Sequence, residues 1–341
     1  MKKIDLTYIN KQFFKYNEKP LSFSDLYYKE IKHNDHKLID EYGNEVGTKG
    51  DFYTKLLIEK ILTEGTWDEN PRPKYETDGR PAHTLSLNNE VFWKYDMTKN
   101  ESPLITLRPI AISKSIGEIL WIYKDASTDL DVLKDKYGVT WWDEWALKDE
   151  NNLPTRTIGS TYGEIINNYD QVNKLLKELK EDPFGRRHII DMWQLEDLSH
   201  PHGLKPCAYS NVWNVRKGKD DKYYLDMKLI QRSSDFLVAG CINQMQYLSL
   251  LYMVAKETGY EPGTFTWDVE NVQIYDRHIP QAIELLNRDP ISLENKQEPY
   301  IELNEDITSF YDFMPEDIKI KNYPRKKIKK YNPQQVFDKG I

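Results

Sequence analysis

Cys207 is one of two cysteines in 341 residues and stands in Leu204-Lys205-Pro206-Cys207-Ala208-Tyr209. Downstream lies Gln231-Arg232-Ser233-Ser234-Asp235, and upstream lies the pair Arg186-Arg187. A thiolate is the reactive form of cysteine, and a nearby cation lowers the thiol pKa from about 8.5. Two adjacent arginines repel each other unless an anion or acidic partners lie between them. A phosphate monoester is such an anion, and guanidinium forks match its geometry. The pattern predicts a cysteine nucleophile acting on a phosphorylated substrate. Cys241, inside the apolar run Ala239-Gly240-Cys241-Ile242, is expected to be core. His200 and His202 with Cys207 lack a zinc spacing, so no metal is expected.

Each feature has a blander reading: a buried small residue for Cys207, a solvated edge for Arg186-Arg187, a turn for Arg232–Asp235. Glu118 is harder to dismiss. It falls in an apolar helical stretch, where a carboxylate costs several kcal/mol unless paired or protonated. Trp141-Trp142-Asp143-Glu144-Trp145 suits either a core with an acidic edge or a flat heteroaromatic ligand.

The surrounding pattern predicts the elements that must position these groups. Leu56, Leu57, Ile61 and Leu62 predict a helix stopping near Gly65, and Pro71-Arg72-Pro73-Lys74 an irregular basic loop. Val172, Leu175, Leu176 and Leu179 predict an amphipathic helix ending before Asp182-Pro183. Another helix is expected over Met245–Lys256, stopped at Gly259. Strands are expected at 84–95, 188–193, 209–215, 223–230 and 264–275, joined mainly by hairpins. Residues 1–50 are polar and turn-rich and are left unplaced. The fold class is α/β in the mixed α+β sense, in one domain.

With a net charge of −8, a generic nucleic-acid or acidic-membrane surface is not expected. Nine Trp, 23 Tyr and 11 Phe can fill a large core despite 30% charged residues. Two cysteines make no disulfide framework, and Met1–Asn10 has no apolar leader core. The longest apolar run, near Leu248–Ala255, falls short of the ~20 residues that span a bilayer. A cytoplasmic protein without a membrane partner is expected.

Taken in order, several segments resemble the folate-dependent thymidylate synthases. They are Asp78-Gly79-Arg80-Pro81-Ala82-His83-Thr84, Glu118-Ile119-Leu120-Trp121, Trp142-Asp143-Glu144-Trp145, Tyr162-Gly163 and Arg186-Arg187-His188. Further on come Pro206-Cys207, Gln231 to Asp235, Asn243 and Tyr275-Asp276-Arg277-His278. The resemblance implies a single domain, 51–341, after an N-terminal extension, 1–50. It also implies a large twisted, mainly antiparallel sheet that forms a homodimer interface with shared active sites. The implied reaction is reductive methylation of dUMP to dTMP, with 5,10-methylenetetrahydrofolate as co-substrate and no metal. Cys207, Glu118, Tyr162 and Arg232 would be catalytic. Arg72, Arg186, Arg187, Arg232, Ser233, Ser234, Asp235, Asn243, Gln273 and Tyr275 would bind dUMP, with Arg186 and Arg187 reaching the partner's phosphate. Asp235 and Trp142 would meet the folate.

The sequence departs from the family at four places. Ala208 replaces a histidine after the nucleophile, and Gln273 replaces one near the sugar. Gly79 stands where a phosphate arginine is usual, so Arg72 is taken before Arg80. Val336-Phe337-Asp338-Lys339-Gly340-Ile341 is not the family's apolar closing tail, although Ile341 could cap the site. A pyrimidine hydroxymethylase acting on dUMP or dCMP, or a non-catalytic nucleotide- or RNA-binding protein, remains the alternative. Neither DNA nor RNA is a predicted partner.

Overall fold

The computed structural model describes residues 1–16, 27–338 and 340. Its N-terminal part forms β1 (Lys2–Lys3), α1 (Thr7–Lys15) and β2 (Tyr27–Tyr28), then β3 (His33–Asn34), β4 (Lys37–Ile39) and β5 (Glu45–Val46). The strands are short, but Ile4, Leu6, Ile9, Phe13 and Tyr28 are buried in the main core. The segment left unplaced by its polar composition is therefore anchored by a few apolar residues.

Helix α2 (Lys49–Glu64) begins with a reciprocal cap. Thr48 Oγ1 accepts from Asp51 N at 2.9 Å, and Asp51 Oδ2 accepts from Thr48 N at 3.0 Å. The helix stops at Gly65, as expected. Beyond it comes the main sheet, from β6 (Thr66–Trp67) and β7 (Thr84–Asp96) to β8 (Ile189–Asp191), β9 (Ala208–Lys217), β10 (Tyr223–Gln231), β11 (Ser234–Asp235) and β12 (Glu261–Tyr275). The spatial order is β6-β7-β12-β10-β9-β8, with β11 beside β12. β9 and β10 form a hairpin, but β10 and β11 pair with β12 in parallel. Parallel neighbours need a crossover, which α7 (Cys241–Thr258) supplies, so hairpins join fewer strands than expected.

β8 is shorter than the predicted 188–193. Gln171 takes both backbone groups of Asp191, accepting from its N–H at 2.8 Å and donating to its carbonyl at 2.9 Å. Even so, Met192 N donates to the Tyr209 carbonyl at 2.7 Å, so contact with β9 runs one residue past β8. α7 starts four residues before the predicted Met245 and continues a π-helical turn, Phe236–Gly240. Together Phe236–Thr258 is long and apolar enough to cross a membrane by length and composition, contrary to the sequence reading. Most of it is buried against the sheet and α3 (Ile112–Tyr123).

Helices α4 (Leu130–Tyr137), α5 (Gly163–Asn168), α6 (Gln171–Glu181) and α8 (Ile279–Asn287) complete the layer with α2. A hairpin, β13 (Tyr300–Leu303) and β14 (Ile318–Lys321), and helix α9 (Arg325–Tyr331) follow. Trp213, Trp267, Tyr95 and Phe265 are fully buried between sheet and helices. Truncating such a ring to Ala costs roughly 3–5 kcal/mol.

The other face of the sheet is open in this chain. Strand register aligns Phe92, Asp268 and Ile230 in one row and Ile189, Val212 and Lys228 in the next. Phe92 is 53% exposed and Ile189 50%.

Candidate active site

Cys207 stands half-buried at the entry to β9, and Arg232 stands at the exit of β10. The Arg232 N–H donates to the Cys207 carbonyl at 2.9 Å. Its guanidinium donates to the carbonyls of Pro206 and Lys205, both at 2.9 Å, and approaches Cys207 Sγ at 3.5 Å. Tyr162 Oη accepts from the Cys207 N–H at 2.9 Å. The thiol is thus clamped through its own backbone. Burial pushes the thiol pKa up; Arg232, then Arg72, pull it back, and the upward push wins. The sequence expectation has the sign of Arg232's effect but omits burial. Arg232 also gives its shorter contacts to carbonyls rather than to sulfur.

Tyr162 caps α5 with φ 43° and ψ −106°. A bulky residue at positive φ carries of order 1–3 kcal/mol of strain, which the surroundings must hold. A Cβ on Gly163 would lie 2.3 Å from the Ser127 carbonyl oxygen, so the Tyr-Gly pair has no room for a larger second residue. The Tyr162 phenol lies within electrostatic reach of Cys207, Arg232 and Glu118, and burial pushes its pKa far up. Behind it, Trp142 is buried edge-on at 5.2 Å and also meets Trp121 and Trp145.

Glu118 is buried in the middle of α3. Burial raises its pKa, while Trp142, Trp141 and Gln246 favour the ionised form. Trp141 Nε1 donates to Glu118 Oε2. An amide relay approaches the same carboxyl from the sheet. The Trp267 indole N–H donates to Gln231 Oε1, and an indole nitrogen can only donate. Gln231 must therefore present Nε2 to Asn243 Oδ1, at 3.2 Å. Asn243 Nδ2 then points to Gln246 Oε1, at 3.0 Å. A buried indole fixes which way the Asn243 amide faces.

Ser233 Oγ donates to Gln273 Oε1 at 3.2 Å, and Ser234 is buried with its hydroxyl lacking a hydrogen-bond partner. Asp235 caps the π-helical turn through Val238 N at 3.3 Å. Burial pushes its carboxyl up to about 7, opposed by the Val238 N–H, Arg108 and the Leu237 N–H. The Tyr275 phenol is pushed up by burial and feels Asp235, Cys207 and Arg72. Arg72 is exposed yet close enough to act on Cys207 and Tyr275, whereas Arg80 has Asp78 at 3.9 Å. Arg186 and Arg187 are exposed on the turn before β8, at the margin of the open sheet face. Within the chain they are not drawn into the Cys207 cluster. Ile341 lies outside the described residues.

Sequence reasoning missed Gln246 and Arg108, and gave Trp141 and Gln231 no role of their own. Gln231 and Trp141 stand beside singled-out residues, but only the fold shows where their polar atoms go. Arg108 Nη2 donates to the Leu237 carbonyl and lies 3.3 Å from Cys241 Sγ. A groove of about 800 Å3 lined by Ile112, Ile116, Ile318, Ile320 and Tyr323 contains none of these groups, so volume does not mark the chemistry.

A clamped thiol, a guanidinium and a buried carboxyl thus gather around one phenol at the end of the main sheet. The comparisons give the family. The thymidylate synthase family matches residues 51–333. A thymidylate synthase of Streptococcus mutans is 43% identical over 295 residues, 86% of this chain and all of that protein. One from Streptococcus pyogenes is also 43% identical with the same coverage. The thermostable thymidylate synthase A from Bacillus subtilis superposes with a TM-score of 0.73 at 30% identity, over 86% of this chain and 99% of that one. The chain belongs to the thymidylate synthase family, and its enzyme class is that of a methyltransferase.

Proposed function

We propose that the protein converts dUMP to dTMP at the Cys207 site, with residues 51–341 as the catalytic domain and 1–50 as an extension braced against it. The supporting observation is the thiol fixed between Arg232 and Tyr162, with Glu118 beyond the phenol. Pyrimidine C5 is a poor nucleophile. Bond formation between Cys207 Sγ and C6 turns C5 into an enolate carbon that can attack an electrophilic one-carbon unit. 5,10-Methylenetetrahydrofolate, when bound, supplies that carbon and a hydride and leaves as dihydrofolate. Tyr162, a phenol kept neutral by burial, would accept the C5 proton at Oη only while passing its own on to solvent, and loss of Sγ from C6 restores the ring double bond. Glu118, with its raised pKa, can hold a proton for the base carbonyl or the leaving nitrogen.

The orientation of Asn243 suits uracil. Its Oδ1 keeps a second lone pair for N3–H, and its Nδ2 keeps a second hydrogen for O4. Cytosine reverses both, and a buried mispaired group costs about 1–3 kcal/mol. Arg72, Arg232 and Ser233 would take the phosphate with Arg186 and Arg187 from a partner, while Ser234, Gln273 and Tyr275 would line the nucleotide. The folate would meet Asp235, whose carboxyl is an acceptor once ionised, and Trp142, whose ring packs edge-on against Tyr162. No group of three or more metal-ligating side chains occurs among the described residues.

The open sheet face favours a homodimer, with Arg186 and Arg187 at its edge. Mixing Cys207→Ala and Arg187→Ala proteins should then restore part of the activity, and an active strict monomer in sedimentation would exclude shared sites. The reaction itself is tested by supplying dUMP and the folate and following dihydrofolate absorbance. Release of tetrahydrofolate with a hydroxymethylated product would instead identify a hydroxymethylase.

A further inference from the structure

The Arg277 guanidinium sits between two segments far apart in the chain. Nη2 donates to Asp78 Oδ2 at 2.7 Å, and Asp78 belongs to the loop that carries Arg72. Nη1 donates to Asp338 Oδ2 at 2.7 Å and to Thr77 Oγ1 at 3.2 Å. Thr77 Oγ1 itself donates to Asp338 Oδ2 at 2.7 Å, closing a ring of contacts. The guanidinium carbon lies 3.8 Å from the centre of the Tyr75 ring, close for a cation over an aromatic face. Tyr75 is buried with Ala82 and Tyr275 in a small cluster under the loop, and its hydroxyl donates to Asp276.

The segment around Asp338 runs directly onto the candidate site. His278 Nε2 contacts the Asp338 carbonyl at 2.6 Å, and Phe337 packs on His278 at 5.0 Å. Gly340 bridges Tyr75, and a Cβ on Gly340 would lie 3.0 Å from Tyr275 Oη. Backbone is thus pressed against the phenol that faces Cys207 and Arg72. The Arg72 loop closes on itself through Ala82 N to the Pro73 carbonyl at 3.0 Å and the Lys74–Pro81 bridge. Holding its tip therefore constrains Arg72.

We propose that Arg277 is a positioning residue that fixes the Arg72 loop to the segment carrying Asp338, so that nucleotide capture at Arg72 and seating of Gly340 on Tyr275 are coupled. This rests on the reading of Arg72 as a phosphate ligand. A planar fork can serve both carboxylates at once, while a lysine ammonium is a single compact charge.

The test uses the full-length protein and calorimetric binding of dUMP. Arg277→Ala should weaken dUMP binding about tenfold, the size of one lost charge-assisted contact. Arg277→Lys should recover only part of it. Asp338→Asn should also weaken dUMP binding, although Asp338 is on the other segment, and Arg277→Ala/Asp338→Asn should be no worse than Arg277→Ala alone. Thr77→Val, at an exposed position, offers the same test should Arg277→Ala fail to fold, with an expected loss of about threefold. Wild-type affinity in Arg277→Ala, or independent multiplying effects of the two substitutions, would overturn the clasp and leave the reaction assignment standing. Failure of the wild-type protein to bind dUMP would overturn both.

Discussion

Arg232 Nη2 stands 3.5 Å from Cys207 Sγ, and Arg108 Nη2 stands 3.3 Å from Cys241 Sγ. By distance alone Cys241 is the better-partnered thiol. The surroundings reverse that order. Cys241 is buried at the start of α7, and its arginine is committed to the Leu237 carbonyl and the face of Phe337. Cys207 is only half-buried, its backbone is held on both sides, and Tyr162, Tyr275 and Arg72 face it. A nearby cation does not make a nucleophile; access and convergent polar groups do.

The comparison breaks first at Cys207→Ala. Turnover should fall by at least about 10⁴-fold while dUMP binding stays measurable by calorimetry. Next is Glu118→Gln, which keeps the shape but cannot exchange a proton. Its kcat should fall by about 10²–10⁴-fold with the fold unchanged by circular dichroism, and a loss under tenfold would remove Glu118 from the proton path.

A smaller effect concerns titration. Burial raises the Cys207 pKa, so the thiolate fraction is low at neutral pH and grows only above the ordinary thiol range. Alkylation of Cys207 by iodoacetamide should therefore accelerate on the alkaline side, and Arg232→Gln should move that rise higher still. A rise centred below neutral pH would contradict the burial argument. Asp235, at about 7, is partly protonated near neutrality, and a donor from the folate would favour its ionised form. Folate binding should then release a fraction of a proton near pH 7, visible as a buffer-dependent enthalpy and absent in Asp235→Asn. The smallest effect is expected for Cys241→Ala, about 1 kcal/mol of stability with kcat/KM within about twofold of wild type.

Local pattern made much of this legible. α6 follows the i, i+3, i+4, i+7 spacing of Val172, Leu175, Leu176 and Leu179, and Gly65 and Gly259 stop helices as expected. Cys207 and Arg232 could be singled out because each is chemically distinctive. The amide relay could not, since the direction of Asn243 depends on Trp267, which meets Gln231 from 36 residues away. The clasp could not either, because Arg277 and Asp78 are 199 residues apart. The start of α7 was hidden by Gly240 and the π-helical turn, and the N-terminal packing by polar residues around Ile4, Leu6, Ile9 and Phe13.

The central claim is that Cys207, and not Cys241, forms the bond to the pyrimidine. Incubation with 5-fluoro-dUMP and the folate should trap a covalent adduct, because fluorine at C5 cannot leave as a proton does. Peptide mass spectrometry should place that adduct on the fragment carrying Cys207. An adduct on the fragment carrying Cys241 would contradict the account.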